Sequence, residues 1–138
     1  MTSSTSTSDR DQPAPMVDSR VSMGEGGTPM VPLSSLARRW GLAELWAKAE
    51  YINPTGSYKD RIAAATMTEA LRAGYRGWIG TSSGNGGASM SAYGVRAGLP
   101  GVLLVLSDAP KEKLASIAPY GVLQLSMTRM GPPVMAAL

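Results

Sequence analysis

Apolar positions recur along this chain with two periods, and the periods divide it into elements. From Lys59 to about Ala73, the residues Ala63, Met67, Ala70 and Leu71 fall at i, i+4, i+7 and i+8, the spacing of one helix face. Arg61, Glu69 and Arg72 fall on the opposite, wet face. Gly74 marks the end, since glycine accepts the left-handed conformation that closes a helix. Gly77-Trp78-Ile79-Gly80 then reads as a short strand. A second helix is predicted from roughly Ala88 to Ala97, where Ala88, Ser91, Ala92 and Gly94 would let it lie close to a sheet, and Gly98 stops it. Gly101 to Leu106 is a continuous apolar run, the pattern of a parallel strand buried on both faces. Pro110 opens another helix, to about Tyr120, and Val122 to Leu125 is the next strand.

Upstream, Met30-Val31-Pro32-Leu33 is extended, and Ser34 or Ser35 is placed to cap a short helix from Leu36 to Trp40 ended by Gly41. Leu45 to Glu50 alternates in part, as a strand with one wet face does. Strands alternating with helices predict right-handed βαβ crossovers and a parallel sheet, so the fold class is α/β. In such sheets ligands bind beyond the carboxyl ends of the strands, where loops meet helix N-termini.

The first stretch, Met1 to about Ser22, is rich in Ser, Thr, Asp and Pro and is expected to be a disordered tail, with the ordered unit running from Met23 to Leu138. It has no apolar core run, so it is neither a secretory signal nor a membrane span. Arg10 and Arg20 hint at a transit peptide, but Asp9, Asp11 and Asp18 oppose that reading. No later apolar run is long enough to cross a bilayer, so a cytoplasmic protein is expected. With 138 residues, 43% hydrophobic and 17% charged, the chain can form one modest core. Its net charge of +3 is scattered, without the basic stripe that nucleic acid requires. Cysteine and histidine are both absent. That excludes disulfides, thiolate chemistry, histidine metal sites and Ser-His-Asp catalysis. Chemistry here must use lysine, carboxylates, hydroxyls, backbone dipoles or a cofactor.

Two stretches carry candidate chemistry. The first is Asn53-Pro54-Thr55-Gly56-Ser57-Tyr58-Lys59-Asp60-Arg61, between a strand-like run and a helix-like run. Pro54 and Gly56 make a turn, and Ser57 is suited to cap the helix that follows. Lys59 then falls in the first helical turn, where the positive end of the dipole disfavours an ammonium and so favours a neutral amine. Taken alone, the stretch is most simply a solvated lysine.

The second is Thr81-Ser82-Ser83-Gly84-Asn85-Gly86-Gly87, at the carboxyl end of a strand. Its hydroxyls and glycine N–H groups suit an anion. The Gly-Lys-Ser/Thr ending of a nucleotide phosphate loop is missing, and the glycine spacing of a dinucleotide loop does not fit. A small carboxylate suits this loop better than a pyrophosphate. A purely structural glycine turn is the alternative.

Together with Gly24-Glu25-Gly26-Gly27-Thr28-Pro29, these stretches resemble the threonine synthase branch of the fold type II pyridoxal-phosphate enzymes, whose type example is the tryptophan synthase β chain. The resemblance runs from about Met23 to the end, and the three motifs in this order are far more specific than any one of them. It implies that Lys59 bonds the cofactor covalently and later moves protons. It implies that Asn85 hydrogen-bonds the cofactor's phenolic oxygen, and that Tyr58 lies against its pyridine ring. Tyr58 is a departure, since the family commonly has phenylalanine there. Ser82, Ser83 and the backbone from Gly84 through Asn85 to Gly86 would hold the substrate carboxylate.

The activity so implied is conversion of O-phosphohomoserine and water to threonine and phosphate. A serine/threonine dehydratase or another amino-acid lyase of the same fold is the alternative. A third is a non-catalytic remnant, or one half of a split enzyme. Family members are much longer, and hold the cofactor phosphate in a glycine-rich loop of their second half. Gly131-Pro132-Pro133 is a poor substitute, because prolines lack N–H donors. The chain is therefore expected to be an incomplete, amino-terminal portion of the catalytic fold. It is expected to take an amino-acid substrate and to act as a homo-oligomer or with a complementing carboxy-terminal chain.

Overall fold

The computed structural model describes residues 20–129. Gly131-Pro132-Pro133 and most of the predicted tail lie outside that range. Val21 does not behave as tail: it is 5% exposed, packs in the core, and donates its N–H to Thr68 Oγ1 at 3.0 Å. The apolar Val21 side chain, at the end of the stretch read as tail, finds a site on the first long helix.

The parallel sheet is present, with strands β3 (Trp78–Thr81), β4 (Gly101–Leu106) and β5 (Leu123–Met127) in that spatial order. Trp78 pairs with Gly101 and Thr81 with Leu104, while Leu104 pairs with Leu125. Connections run through α3 (Asn85–Arg96) and through α4 (Lys111–Ala115), which is followed by a 3-10 turn at Ala118–Tyr120. The single helix expected from Pro110 to Tyr120 is therefore broken. Pro119 supplies no N–H for a helical bond and disfavours helical backbone in the residue before it.

The strand expected at Leu45 to Glu50 lies outside the parallel sheet. It shortens to β2 (Trp46–Lys48) and pairs antiparallel with β1 (Met30–Pro32), with Val31 opposite Ala47. The rest of that run turns into a 3-10 helix at Glu50–Ile52. Between the two strands lies α1 (Ser34–Arg39). Leu33 holds its cap position, with no side-chain cap, so neither Ser34 nor Ser35 plays the predicted part.

Helix α2 (Lys59–Arg72) presents the predicted face: Ala63, Ala64 and Met67 are buried, and Ala70 and Leu71 pack against them. Asp60 and Thr68 lie on the same buried stripe. Both long helices end as predicted. Gly74 and Gly98 take positive φ, and the N–H groups of Tyr75 and Leu99 reach back to the carbonyls of Ala70 and Gly94.

Helix α3 lies between α2 and the sheet. On one side Ala92 and Tyr93 join Met67 and Leu99; on the other Ala88 meets Leu103, Val105 and Ile117. Trp78 packs against both clusters. The small residues read from the sequence permit this, and Gly94 and Gly101 leave room for the Trp78 ring. The other face of the sheet is open at its outer strands: Ile79, Leu123 and Leu125 are 48%, 56% and 44% exposed, while Leu104 on the central strand is buried.

Alanine is normally favoured over glycine inside a helix by up to about 1 kcal/mol. At Gly94 a Cβ would run into the Trp78 ring, and overpacking costs roughly 1–3 kcal/mol. Gly94→Ala should therefore lower the thermal midpoint. A raised midpoint would show that the tryptophan can move aside.

Candidate functional site

The backbone before Lys59 is built by a turn, and the turn is held by one carboxylate. Gly56 N–H bonds the Asn53 carbonyl at 2.7 Å across Pro54 and Thr55. Asn53 is buried, and its amide nitrogen donates to the Glu50 carbonyl and to Glu50 Oε2, both at 2.8 Å. Asn53 Oδ1 accepts the N–H of Gly26 at 2.9 Å. Glu50 also receives Arg61 Nε at 3.0 Å, Arg61 Nη2 at 2.9 Å and the Thr28 hydroxyl at 3.0 Å. The Gly24–Pro29 turn is thereby joined to both ends of the lysine stretch. The Arg61 bonds, with those of Asn53 and Thr28, hold the Glu50 carboxyl down at about 2, and Glu50 raises the Arg61 guanidinium in return.

A second tie runs from the same opening turn to α3. Glu25 Oε2 accepts the Tyr93 hydroxyl at 2.9 Å, Met23 N–H at 3.0 Å and the Ser22 hydroxyl at 3.1 Å. Partial burial pushes the Glu25 carboxyl up, but these bonds outweigh it and leave it below its ordinary value. Burial, together with the Glu25 bond, raises the Tyr93 phenol far above its usual value.

A third cluster lies inside. Asp60 is fully buried. Its Oδ2 accepts Thr55 N–H at 2.7 Å, and its Oδ1 accepts the Thr55 hydroxyl. That hydroxyl lies 2.8 Å from Ser89 Oγ on α3. Sequence reading passed over Asp60 as part of a motif. The signal was available: counted from Ala63, Ala64 and Met67, position 60 falls on the buried face of α2, where a carboxylate must be hydrogen-bonded.

Lys59 is the first residue of α2, with Tyr58 at the cap position. Ser57 is one residue too early to be the cap. It is buried and its Oγ accepts Lys59 N–H at 3.3 Å, so it braces the lysine backbone in a looser way than predicted. The Lys59 ammonium lies 4.8 Å from the centre of the Tyr58 ring, which is itself exposed.

Helix α3 begins at Asn85 rather than at Ala88, so the second half of the glycine loop is helical. Gly84 N–H reaches Ser82 Oγ at 3.4 Å, and Ala88 N–H bonds the Gly84 carbonyl at 3.0 Å. Crowding explains Gly87, where a Cβ would strike the Ser82 carbonyl and lie 3.0 Å from Leu103 and Ile117. Crowding does not explain Gly84, where a Cβ would meet nothing in the protein.

Lys59 and the loop share a cavity of about 300 Å³, lined by Ile62, Met90 and Leu103 on its apolar side and by Gly80, Thr81, Ser82 and Gly86 on its polar side. Of the predicted residues, then, Lys59, Ser82 and Gly86 come together. Ser83 lines a neighbouring depression that it shares with Thr81, Ser82 and Leu104, while Asn85 is exposed at the head of α3 and Tyr58 lies outside the cavity lining. The described residues contain no cluster of three metal-binding side chains, and no helix among them is long and apolar enough to cross a membrane.

The family model described as pyridoxal-phosphate dependent enzyme matches residues 21–130. A threonine synthase of Halalkalibacterium halodurans is 40% identical over 95 residues, covering 69% of this chain and 25% of that protein. A threonine synthase of Methanosarcina acetivorans is 40% identical over 98 residues, covering 71% and 24%. The chain thus spans about a quarter of the length of these relatives. Among solved structures, O-ureido-L-serine synthase aligns with a TM-score of 0.71 at 26% identity, covering 82% of this chain and 38% of that one. A pyridoxal 5'-phosphate-dependent aspartate racemase aligns with a TM-score of 0.66 at 29% identity, covering 72% and 32%.

The Glu50 cluster makes stability depend on acid. A carboxyl with a lowered folded-state value stabilises the protein above its unfolded value, and that stabilisation disappears as the pH falls through the folded one. For Glu50 the window runs from 4.5 down to about 2. The thermal midpoint of the native chain should fall across this window, and Glu50→Gln should flatten the fall. Glu25, also lowered, would leave a residual slope. An unchanged slope in Glu50→Gln would mean that the cluster does not stabilise the fold.

Proposed function

The chain belongs to the pyridoxal-phosphate-dependent enzyme family, and from that premise we propose that it is the amino-terminal part of a threonine synthase-like lyase in which Lys59 carries the cofactor. The observation that carries the proposal is the shared cavity: one primary amine, an apolar wall for a flat ring, and an edge of hydroxyl and glycine groups. This donor set fits the aldehyde and ring of pyridoxal 5'-phosphate. Among the described residues the lining holds one basic side chain, Lys59, whose amine the aldehyde would take, so the phosphate needs donors from elsewhere.

When bound, the cofactor supplies an electron sink for carbanion chemistry at the substrate. The residues of this chain do the rest. Lys59 would hold the cofactor and then carry protons to and from the substrate carbons. The Ser82 hydroxyl and the Gly86 backbone orient the substrate carboxylate at the head of α3, where the helix dipole favours an anion. Gly84 leaves open space beside them. Asn85, at the head of α3, would donate to the cofactor's phenolic oxygen, and Ser83 would support the carboxylate from the adjoining depression. The Tyr58 ring, exposed outside the cavity lining, would stack on the cofactor ring once the cofactor is bound. The substrate class is an amino acid, with O-phosphohomoserine as the specific candidate, supported by the threonine synthase relatives.

We propose further that these 138 residues alone hold the cofactor weakly and do not make threonine. The absence of a second basic group in the cavity and the quarter-length match support this. The open sheet face at Ile79, Leu123 and Leu125 is the surface that a complementing chain or a second copy would cover, in a cytoplasmic assembly.

Borohydride trapping tests the assignment. The reduced cofactor should appear on Lys59, and Lys59→Ala should abolish it; trapping on Lys48, Lys111 or Lys113 instead would sink the assignment. Among the loop residues, Ser82→Ala should weaken amino-acid binding by roughly 1–3 kcal/mol, with a smaller loss in Ser83→Ala, while Asn85→Ala should alter the cofactor's spectrum. Unchanged affinity and spectra in all three would return the loop to a structural turn.

A further inference from the structure

The hydrogen bonds around Lys59 form two sets. The outer one, centred on Glu50, holds the turn. The inner one joins Asp60, Thr55 and Ser89, and crosses from α2 to α3. We propose that Thr55 is a positioning residue: by bonding at once to Asp60 beside the lysine and to Ser89 on α3, it sets where Lys59 stands relative to the Ser82–Gly86 loop. This rests on the reading of Lys59 as the cofactor lysine.

The direction of the bonds follows from the chemistry of the groups. A carboxylate only accepts, so both bonds into Asp60 are donated by Thr55, one from its backbone N–H and one from its hydroxyl. A hydroxyl has a single proton. Toward Ser89 the Thr55 oxygen must therefore accept, and Ser89 must donate. Thr55 is held from both sides and cannot rotate without breaking a bond.

Each end of this chain of bonds meets a part of the site. Asp60 is the next residue after Lys59, so holding its carboxylate holds the backbone from which the lysine side chain leaves. Ser89 lies four residues into α3, one turn from Asn85. A helix is stiff over that distance, about 6 Å, so Ser89 carries the loop with it. The other polar group on the buried stripe of α2 behaves differently. Thr68 donates to Ala64 within its own helix and accepts from Val21, with no link to α3. Apolar residues would hold two helices together without the desolvation cost of a buried carboxylate, whereas a polar set is satisfied in only one arrangement.

The test measures amide hydrogen exchange on the 138-residue chain, then borohydride trapping with pyridoxal phosphate. In Thr55→Val, amides 59–61 and 86–88 should exchange faster together, and half-maximal trapping on Lys59 should need about tenfold more cofactor. Thr55→Ser keeps all three bonds and should restore both readouts. Ser89→Ala leaves the Asp60 bonds intact and suits a helix, so it folds even where Thr55→Val does not; it should give the same paired loosening at smaller amplitude. Thr68→Val is the control, weakening the far part of α2 without changing trapping. The proposal is overturned if only one segment loosens, if trapping is unchanged in Ser89→Ala and Thr55→Val, or if Thr68→Val shifts it equally. No adduct on Lys59 in the native chain would refute the cofactor reading instead, and the exchange measurement would still decide the tether.

Discussion

The arrangement of this site depends on satisfying the carboxylate of Glu50. It draws donors from Thr28 in the opening turn, from Asn53 before the lysine and from Arg61 after it. Bonds to a charged partner are roughly twice as strong as neutral ones. Here they all converge on one group, so a turn that could otherwise close in several ways closes in one. Motif residues that seem to be chemistry in the sequence, such as Arg61 and Asn53, are accounted for by this convergence. They shape the backbone on which Lys59 stands.

Helix α3 carries the same logic into the core. Its small residues let it approach the sheet on one face and α2 on the other, and Trp78 fills the space that Gly94 and Gly101 leave. Its first residue is also the last of the candidate loop's polar side chains. Packing that fixes the helix therefore fixes the loop. Tyr93 and Ser89 extend this to hydrogen bonds, one to Glu25 and one to Thr55. The family match and the shared cavity meet at this point, because the lysine and the loop come from elements held by the same helix.

The side of the sheet away from α3 carries exposed apolar side chains. Ile79, Leu123 and Leu125 alternate along their strands on the face that α3 does not cover. A parallel sheet is ordinarily covered on both faces. Here α3 covers one face through Ala88, which packs on Leu103 and Val105.

What the sequence determined by itself is local. The face of α2, the glycine stops at Gly74 and Gly98, the span of β4 and the three motifs could all be read because each depends on residues within a turn or two. The break before Tyr120 was equally local, and Pro119 signalled it. Tertiary structure decided the rest. The three residues of β2 carry no mark of which strand they join, and they joined β1 instead of the parallel sheet. Asn85, Gly86 and Gly87 are weak helix formers, yet they are helical because α3 is held along its length by packing. The burial of Val21, the partners of Asp60 and the exclusion of Ser83 from the lysine cavity arise from contacts between distant segments. The Thr55–Ser89 bond spans 34 residues and the Glu25–Tyr93 bond spans 68. No periodic pattern records a partner that far away, because the chain meets it only when the core has closed.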